Sequence, residues 1–129
     1  MESNRSIGVC GTQMKTFGEK VESALTQYPL THDEIQLKML WNAPFAHPTV
    51  MIRKSILDQF ELRYDEHFMA EGMTLWNKLI FKTKTANLPD VLLNYRIHQS
   101  SITKTYYRQI QKELKDIRIN YAIELFGAI

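Results

Sequence analysis

The sequence predicts a mixed α/β fold, and three observations carry that prediction. Short apolar runs bounded by glycine or proline read as strands, and segments with apolar residues three and four apart read as helices. The two kinds alternate along the chain, as a layered domain requires. No repeat, low-complexity tract or Gly/Ser-rich linker interrupts them. With 129 residues the chain suits one domain, and a globule of that size buries roughly two-thirds of its unfolded surface.

Ile7 to Gly11 is a β-branched apolar run with glycines at its edges and reads as a buried strand. Met14 to Val21 continues as strand and turn, with Gly18 as the bend. Thr31-His32-Asp33-Glu34 is a capping box, so a helix starts there, runs to about Trp41 and stops before Pro44. His47 to Ile52 is apolar on both faces and reads as a covered strand. Lys54 to Phe60 makes a short helix, and residues 61 to 69 form an acidic, aromatic loop. Met73, Trp76, Leu79 and Ile80 recur at helical spacing within a helix from Ala70 to about Lys82. Asn87-Leu88-Pro89-Asp90 reads as a turn before a strand from Val91 to His98. Alternation puts Val91, Leu93, Tyr95 and Ile97 on one face and gathers Asn94, Arg96 and His98 on the other. Finally, Lys104 to Phe126 is a long helix with Ile110, Leu114, Ile117, Tyr121 and Leu125 along one stripe.

Composition narrows the function classes. Hydrophobic content of 44% and charged content of 23% belong to an ordinary globular protein. A net charge of +2, with basic residues scattered among acidic ones, gives no basic stripe and argues against nucleic acid. Cys10 is the sole cysteine, which rules out an intrachain disulfide and favours a reducing compartment. No stretch approaches a transmembrane helix, and Met1 to Ser6 carry no signal-peptide core. A cytoplasmic location follows as the expectation, either free or peripheral to the inner membrane face.

Three segments, in order, carry a resemblance. They are Ile7-Gly8-Val9-Cys10-Gly11-Thr12, then Asn42 through His47-Pro48-Thr49-Val50-Met51-Ile52-Arg53, then Tyr64-Asp65-Glu66 through Ala70-Glu71-Gly72-Met73-Thr74-Leu75-Trp76 to Val91-Leu92-Leu93-Asn94-Tyr95-Arg96-Ile97-His98. Together they resemble the carboxy-terminal portion of family 2 glycosyltransferases with the GT-A fold, over about residues 1 to 105. The resemblance implies a carboxy-terminal half of such a domain over residues 1–103, with 104–129 a helix packed on it or on a partner. It implies an inverting, nucleotide-sugar-dependent sugar transferase of polysaccharide biosynthesis, of which this chain is the acceptor side.

The chemistry of such a transfer explains the residue types. An acceptor hydroxyl needs a carboxylate base within hydrogen-bond reach. The leaving nucleoside diphosphate is stabilised by a divalent cation, Mg or Mn in this family, held mainly by an Asp-x-Asp motif. No Asp-x-Asp occurs in these 129 residues, so no cation is expected on this chain alone. Glu71 matches the first position of the family's Glu-Asp pair, and Gly72 stands where its aspartate base would be. Loss of a general base typically costs about 10²- to 10⁴-fold in rate. Glu71 substitutes only at an angle, since adjacent helical residues point roughly 100° apart. Thr74 also replaces an aspartate of the pattern.

On the resemblance, His98 lies near the metal and phosphates, Arg96 meets phosphates and His47 lines the acceptor side. The plain alternatives are a strand-end histidine bonded to a neighbour, an arginine paired with a surface carboxylate, and a satisfied histidine entering a strand. Trp41 and Trp76 read as core residues, His32 as part of a capping turn, and Asp65 and Glu66 as turn formers. Met1 to Asn4 match the turn that precedes the family's Ile7-type strand, so Met1 is expected to be internal to a longer ancestral frame. Strands lacking their usual neighbours leave an open edge, so self-association or docking on a complementary amino-terminal half is expected. Two functions remain open: a sugar transferase that is incomplete or inactive alone, and a non-catalytic remnant serving as a binding or assembly module.

Overall fold

The computed structural model describes residues 1–65, 71–97 and 107–127. The chain adopts the expected mixed α/β fold, in the order β1 (Ile7–Gly18), β2 (Val21–Leu25), α1 (His32–Lys38), a 3₁₀ turn (His47–Thr49), β3 (Met51–Ile52), α2 (Lys54–Gln59), α3 (Glu71–Leu79), β4 (Lys84–Arg96) and α4 (Tyr107–Gly127). The sheet is mixed and β1 is its centre. β4 runs parallel to β1 from Ile7 opposite Lys84 to Phe17 opposite Arg96. The other edge of β1 is shared by two antiparallel strands, β3 beside Val9 and Cys10 and β2 beside Lys15 to Gly18. The Ile7 strand is therefore longer than its apolar run, and both its edges are paired rather than open. Its extension through Thr16 is polar, held by ladder bonds that residue composition does not advertise.

Alternation along β1 buries Val9, Gly11 and Gln13 on one face. Val9 joins Ile35 of α1 and Met39 just beyond it, Phe45, the α3 residues Met73, Leu75, Trp76 and Leu79, and Ile117 and Tyr121 of α4 in one core. The α4 stripe docks as its spacing predicts. Ile110, Ile117 and Tyr121 are buried and Leu114 and Leu125 lie against the core. The Tyr121 hydroxyl donates to the Gln36 carbonyl at 2.7 Å, tying α4 to the end of α1. Burial, and secondarily Glu124, push its phenol up to about 12, so it stays a donor.

Polar side chains on the sheet face hold the segment from Thr26 to Leu30. Gln13 Nε2 donates to the Tyr28 and Leu88 carbonyls, while its Oε1 accepts from the Thr26 hydroxyl and the Tyr28 N–H. Asn87 Nδ2 donates to the Pro29 and Pro44 carbonyls at 2.7 and 2.9 Å. At the start of α1, His32 Nδ1 accepts the Thr85 N–H at 3.1 Å, with the Thr85 hydroxyl 2.8 Å away. Thr31 caps that helix, its hydroxyl accepting the Glu34 N–H as the capping box predicts.

Several sequence expectations are corrected. α1 ends at Lys38, three residues before Trp41, as the chain turns toward Pro44. Trp41 is not a core residue: it is 58% exposed and lies beneath the Lys38 ammonium. His47 to Thr49 form a 3₁₀ turn, because Pro48 favours a helical start and Thr49 closes the turn onto the Ala46 carbonyl through both its N–H and its hydroxyl. Only Met51 and Ile52 remain as strand, and Met51 is exposed rather than covered. Asn87 to Asp90 do not turn the chain. They bulge within β4, where the register passes from Asn87 opposite Gly11 to Val91 opposite Gln13. Beyond the bulge, Val91 and Tyr95 are exposed, so that half of β4 covers no core. The acidic loop is described only to Asp65, and α3 only from Glu71.

Two measurements test this arrangement. A Cβ at Gly11 would collide with Asn87 Oδ1 and crowd Phe45, whereas one at Gly127 meets nothing within 4 Å. Gly11→Ala should therefore lower stability by about 1–3 kcal/mol in urea unfolding, while Gly127→Ala leaves it within about 0.5 kcal/mol. The His32 imidazole is held below its ordinary range by burial and by Lys84, partly opposed by Asp33. Its neutral form is the folded one, so its contribution is intact above about pH 6.5, the unfolded value, and is lost as pH falls from there through the lowered folded value. The difference in urea midpoint between pH 7.5 and 5.5 should shrink in His32→Asn.

Candidate functional site

Local backbone geometry brings the segments around positions 47 and 72 together. The Thr49 hydroxyl accepts the Thr12 N–H at 3.0 Å, fixing the 3₁₀ turn against β1. Phe45 is buried two residues before His47 and packs edge-on to Trp76, with ring centroids 5.3 Å apart. His47 is exposed, and its ring stands perpendicular to Trp76 at 5.3 Å. Its Nε2 lies 3.2 Å from the Tyr64 hydroxyl. An imidazole and a phenol so placed offer a donor and an acceptor to a hydroxyl-bearing ligand.

Position 72 faces this pair. Trp76 follows one helical turn after Gly72, so the two share a face of α3. A Cβ at Gly72 would stand 3.2 and 3.3 Å from the Trp76 ring carbons and 3.5 Å from His47 Nδ1. The indole thus occupies the space through which a carboxylate at position 72 would extend. Trp76 is buried, as its spacing predicts, and its Nε1 has no partner among the described residues.

The other predicted residues are placed less closely. Glu71 opens α3. Thr74 is buried at 7% exposure and so points into the fold rather than toward solvent. Arg96 is exposed, with its guanidinium over the Phe17 ring at 5.7 Å. Phe17 is five residues beyond Thr12 on β1, so Arg96 lies roughly 17 Å further along the sheet than the turn that holds His47. The structure does not bring Arg96 to His47. His98 and Glu66 lie outside the described residues. Among the described residues no three His, Cys, Asp or Glu side chains converge as metal ligands, and no helix is long and apolar enough to cross a membrane. The Tyr64–His47 contact escaped the sequence reading. Seventeen residues separate the two, and only the 3₁₀ turn aims His47 toward Tyr64.

No protein-family model matches the chain. It is similar to proteins named as glycosyltransferases. One is an uncharacterized glycosyltransferase of Haemophilus influenzae, 24% identical over 127 residues, covering 95% of this chain and 38% of that protein. Another is the amylovoran biosynthesis glycosyltransferase AmsE of Erwinia amylovora, 28% identical over 131 residues, covering all of this chain and 49% of the relative. A third is the O-antigen biosynthesis glycosyltransferase WbnJ of Escherichia coli, 31% identical over 117 residues, covering 85% of this chain and 45% of the relative. The chain spans less than half the length of each.

The packing at position 72 is directly testable. Gly72→Asp should lower stability by about 1–3 kcal/mol through crowding of the indole. In a double-mutant cycle with Trp76→Phe, the two losses should sum to more than the loss of the double variant, because the smaller ring makes room. Strict additivity in urea unfolding would mean that the indole does not oppose a side chain at 72.

Proposed function

We propose that this chain is the acceptor-side, carboxy-terminal portion of an inverting, nucleotide-sugar-dependent glycosyltransferase of family 2 with the GT-A fold, and that it is inactive without a nucleotide-binding portion. One observation carries the reading. The chain is similar along at least 85% of its length to three proteins named as glycosyltransferases, two of them for polysaccharide biosynthesis, and spans only part of each. In the proposed reaction an acceptor hydroxyl attacks the anomeric carbon of the donor sugar, loses its proton to a carboxylate, and displaces the nucleoside diphosphate. Glu71 is the carboxylate available at the start of α3, and His47 orients the acceptor. Arg96 and His98 belong to the phosphate side. The Mg or Mn expected of the family would be held by the complementary portion.

A second reading, a non-catalytic binding or assembly module, is favoured by Gly72. The tight approach of Trp76 makes the missing aspartate part of the packing rather than a simple deletion. Calorimetric titration with uridine and guanosine diphosphates, with manganese or magnesium, separates these ideas from full competence. This chain alone should show no metal-dependent binding of either, and robust metal-dependent binding would overturn the proposal. Mixed with the remaining portion of the Erwinia amylovora relative, the transferase reading expects a complex that releases nucleoside diphosphate when an acceptor saccharide is added. A complex without release supports the module.

A further inference from the structure

A groove of about 510 Å³ opens at the end of the sheet where β1 and β4 begin, lined by Arg5, Ser6, His32, Lys82, Thr83 and Lys84, with Ile56, Ile80 and Phe81 among its apolar residues. Neither His47, Glu71, Gly72 nor Arg96 lines it. β1 and β4 are parallel, so Arg5 and Lys84 mark their shared start while Arg96 marks their shared end. Its size is that of a small-molecule site.

The charge balance of this groove is one-sided. Among the described residues, neither Arg5, Lys82 nor Lys84 has a carboxylate within salt-bridge distance. Lys54 and Arg63, outside the groove, by contrast pair with Asp58. Lys82 is steadied over the Phe60 ring at 5.3 Å, leaving its ammonium without a counter-charge. His32 is neutral and its orientation is fixed. Nδ1 accepts the Thr85 N–H, so the ring hydrogen sits on Nε2, which is thereby a donor. Burial first, then the Lys84 charge, lower the affinity of that ring for a proton, with Asp33 opposing. Three cations without a carboxylate partner and a fixed imidazole N–H around one small cavity suit a compact polyanion, the Ser6 and Thr83 hydroxyls being already donated to Asn4 Oδ1 and to the Ser6 and Lys84 carbonyls. They are too few and too local for a nucleic-acid track.

We infer that this groove binds the phosphate or diphosphate group of a ligand, at the end of the sheet opposite Arg96. Two sources share this chemistry, a free phosphate compound and the headgroup of a membrane lipid. The test titrates the full chain with inorganic pyrophosphate at constant ionic strength, following the His32 ring resonances. In parallel it measures co-sedimentation with phosphatidylglycerol/phosphatidylcholine vesicles against phosphatidylcholine alone. Saturable pyrophosphate binding, weakened at least about tenfold by Lys82→Gln with Lys84→Gln and by Arg5→Gln but not by Lys15→Gln, supports a soluble phosphate ligand. Vesicle binding with the same sensitivity and no pyrophosphate binding supports a lipid headgroup. Binding in neither assay, or binding indifferent to the groove substitutions, overturns the inference. The substituted side chains are exposed, and unchanged urea midpoints verify that each variant is folded. The outcome is independent of the proposed transferase, whose acceptor residues lie elsewhere.

Discussion

The amide of Gln13 is the constraint on which much of this structure depends. It is buried in the middle of β1, where an unpaired amide would cost roughly 1–3 kcal/mol for each unmet group. Instead its two ends make four hydrogen bonds, two donated to carbonyls and two accepted from Thr26 and Tyr28. Those bonds determine where the segment after β2 must run. Asn87, opposite Gly11 on β4, then takes over through Pro29 and Pro44. A sheet face with few large apolar residues is covered this way, by a segment whose backbone is satisfied by side chains. Helix α1 starts from the end of that segment, and the core assembles on α1.

This seam explains why the fold was only partly legible in the sequence. Elements with a periodic apolar face were readable, because burial of that face is what forms them. α4, with Ile110, Ile117 and Tyr121, and α3, with Met73, Trp76 and Leu79, are of this kind. The capping box at Thr31 was readable because cap chemistry is local. Segments governed by distant partners were misread. The stretch after His47 has the composition of a strand, yet Pro48 and the Thr49 hydroxyl make it a turn whose anchor, Thr12, is 37 residues away. Trp41 has the composition of a core residue but sits past the end of a helix shorter than its pattern. Likewise Asn-Leu-Pro-Asp has turn chemistry, but β1 on one side and the loop carbonyls on the other hold it extended.

The candidate site was legible by segment and not by geometry. Motif order marked both the 47 and the 72 positions, but their separation along the chain conceals that they meet across one indole. Trp76 serves the core through Phe45 and the surface through His47, so core packing and any chemistry at position 72 are coupled. A carboxylate restored there would act on an imidazole about 3.5 Å from its Cβ, but only after the core had yielded. The basic groove was invisible in the sequence for a different reason. Arg5 and Lys84 are neighbours only because β1 and β4 run parallel, and a parallel pairing leaves no short-range signature.

The bulge in β4 has a consequence for the solubility of the chain. Among the described residues β4 pairs only with β1 in the sheet, and its far side, apart from Asn87, whose N–H is taken by the Leu30 carbonyl, could template the addition of another strand. Pro89 lacks the N–H that an incoming strand would need, and the irregular Leu88–Asp90 stretch interrupts the repeat of donors and acceptors. What remains are two short tracts out of phase with each other, and the proline and bulge are devices by which sheet proteins resist edge-to-edge aggregation. Replacing Pro89 would restore a ladder donor on the edge of β4.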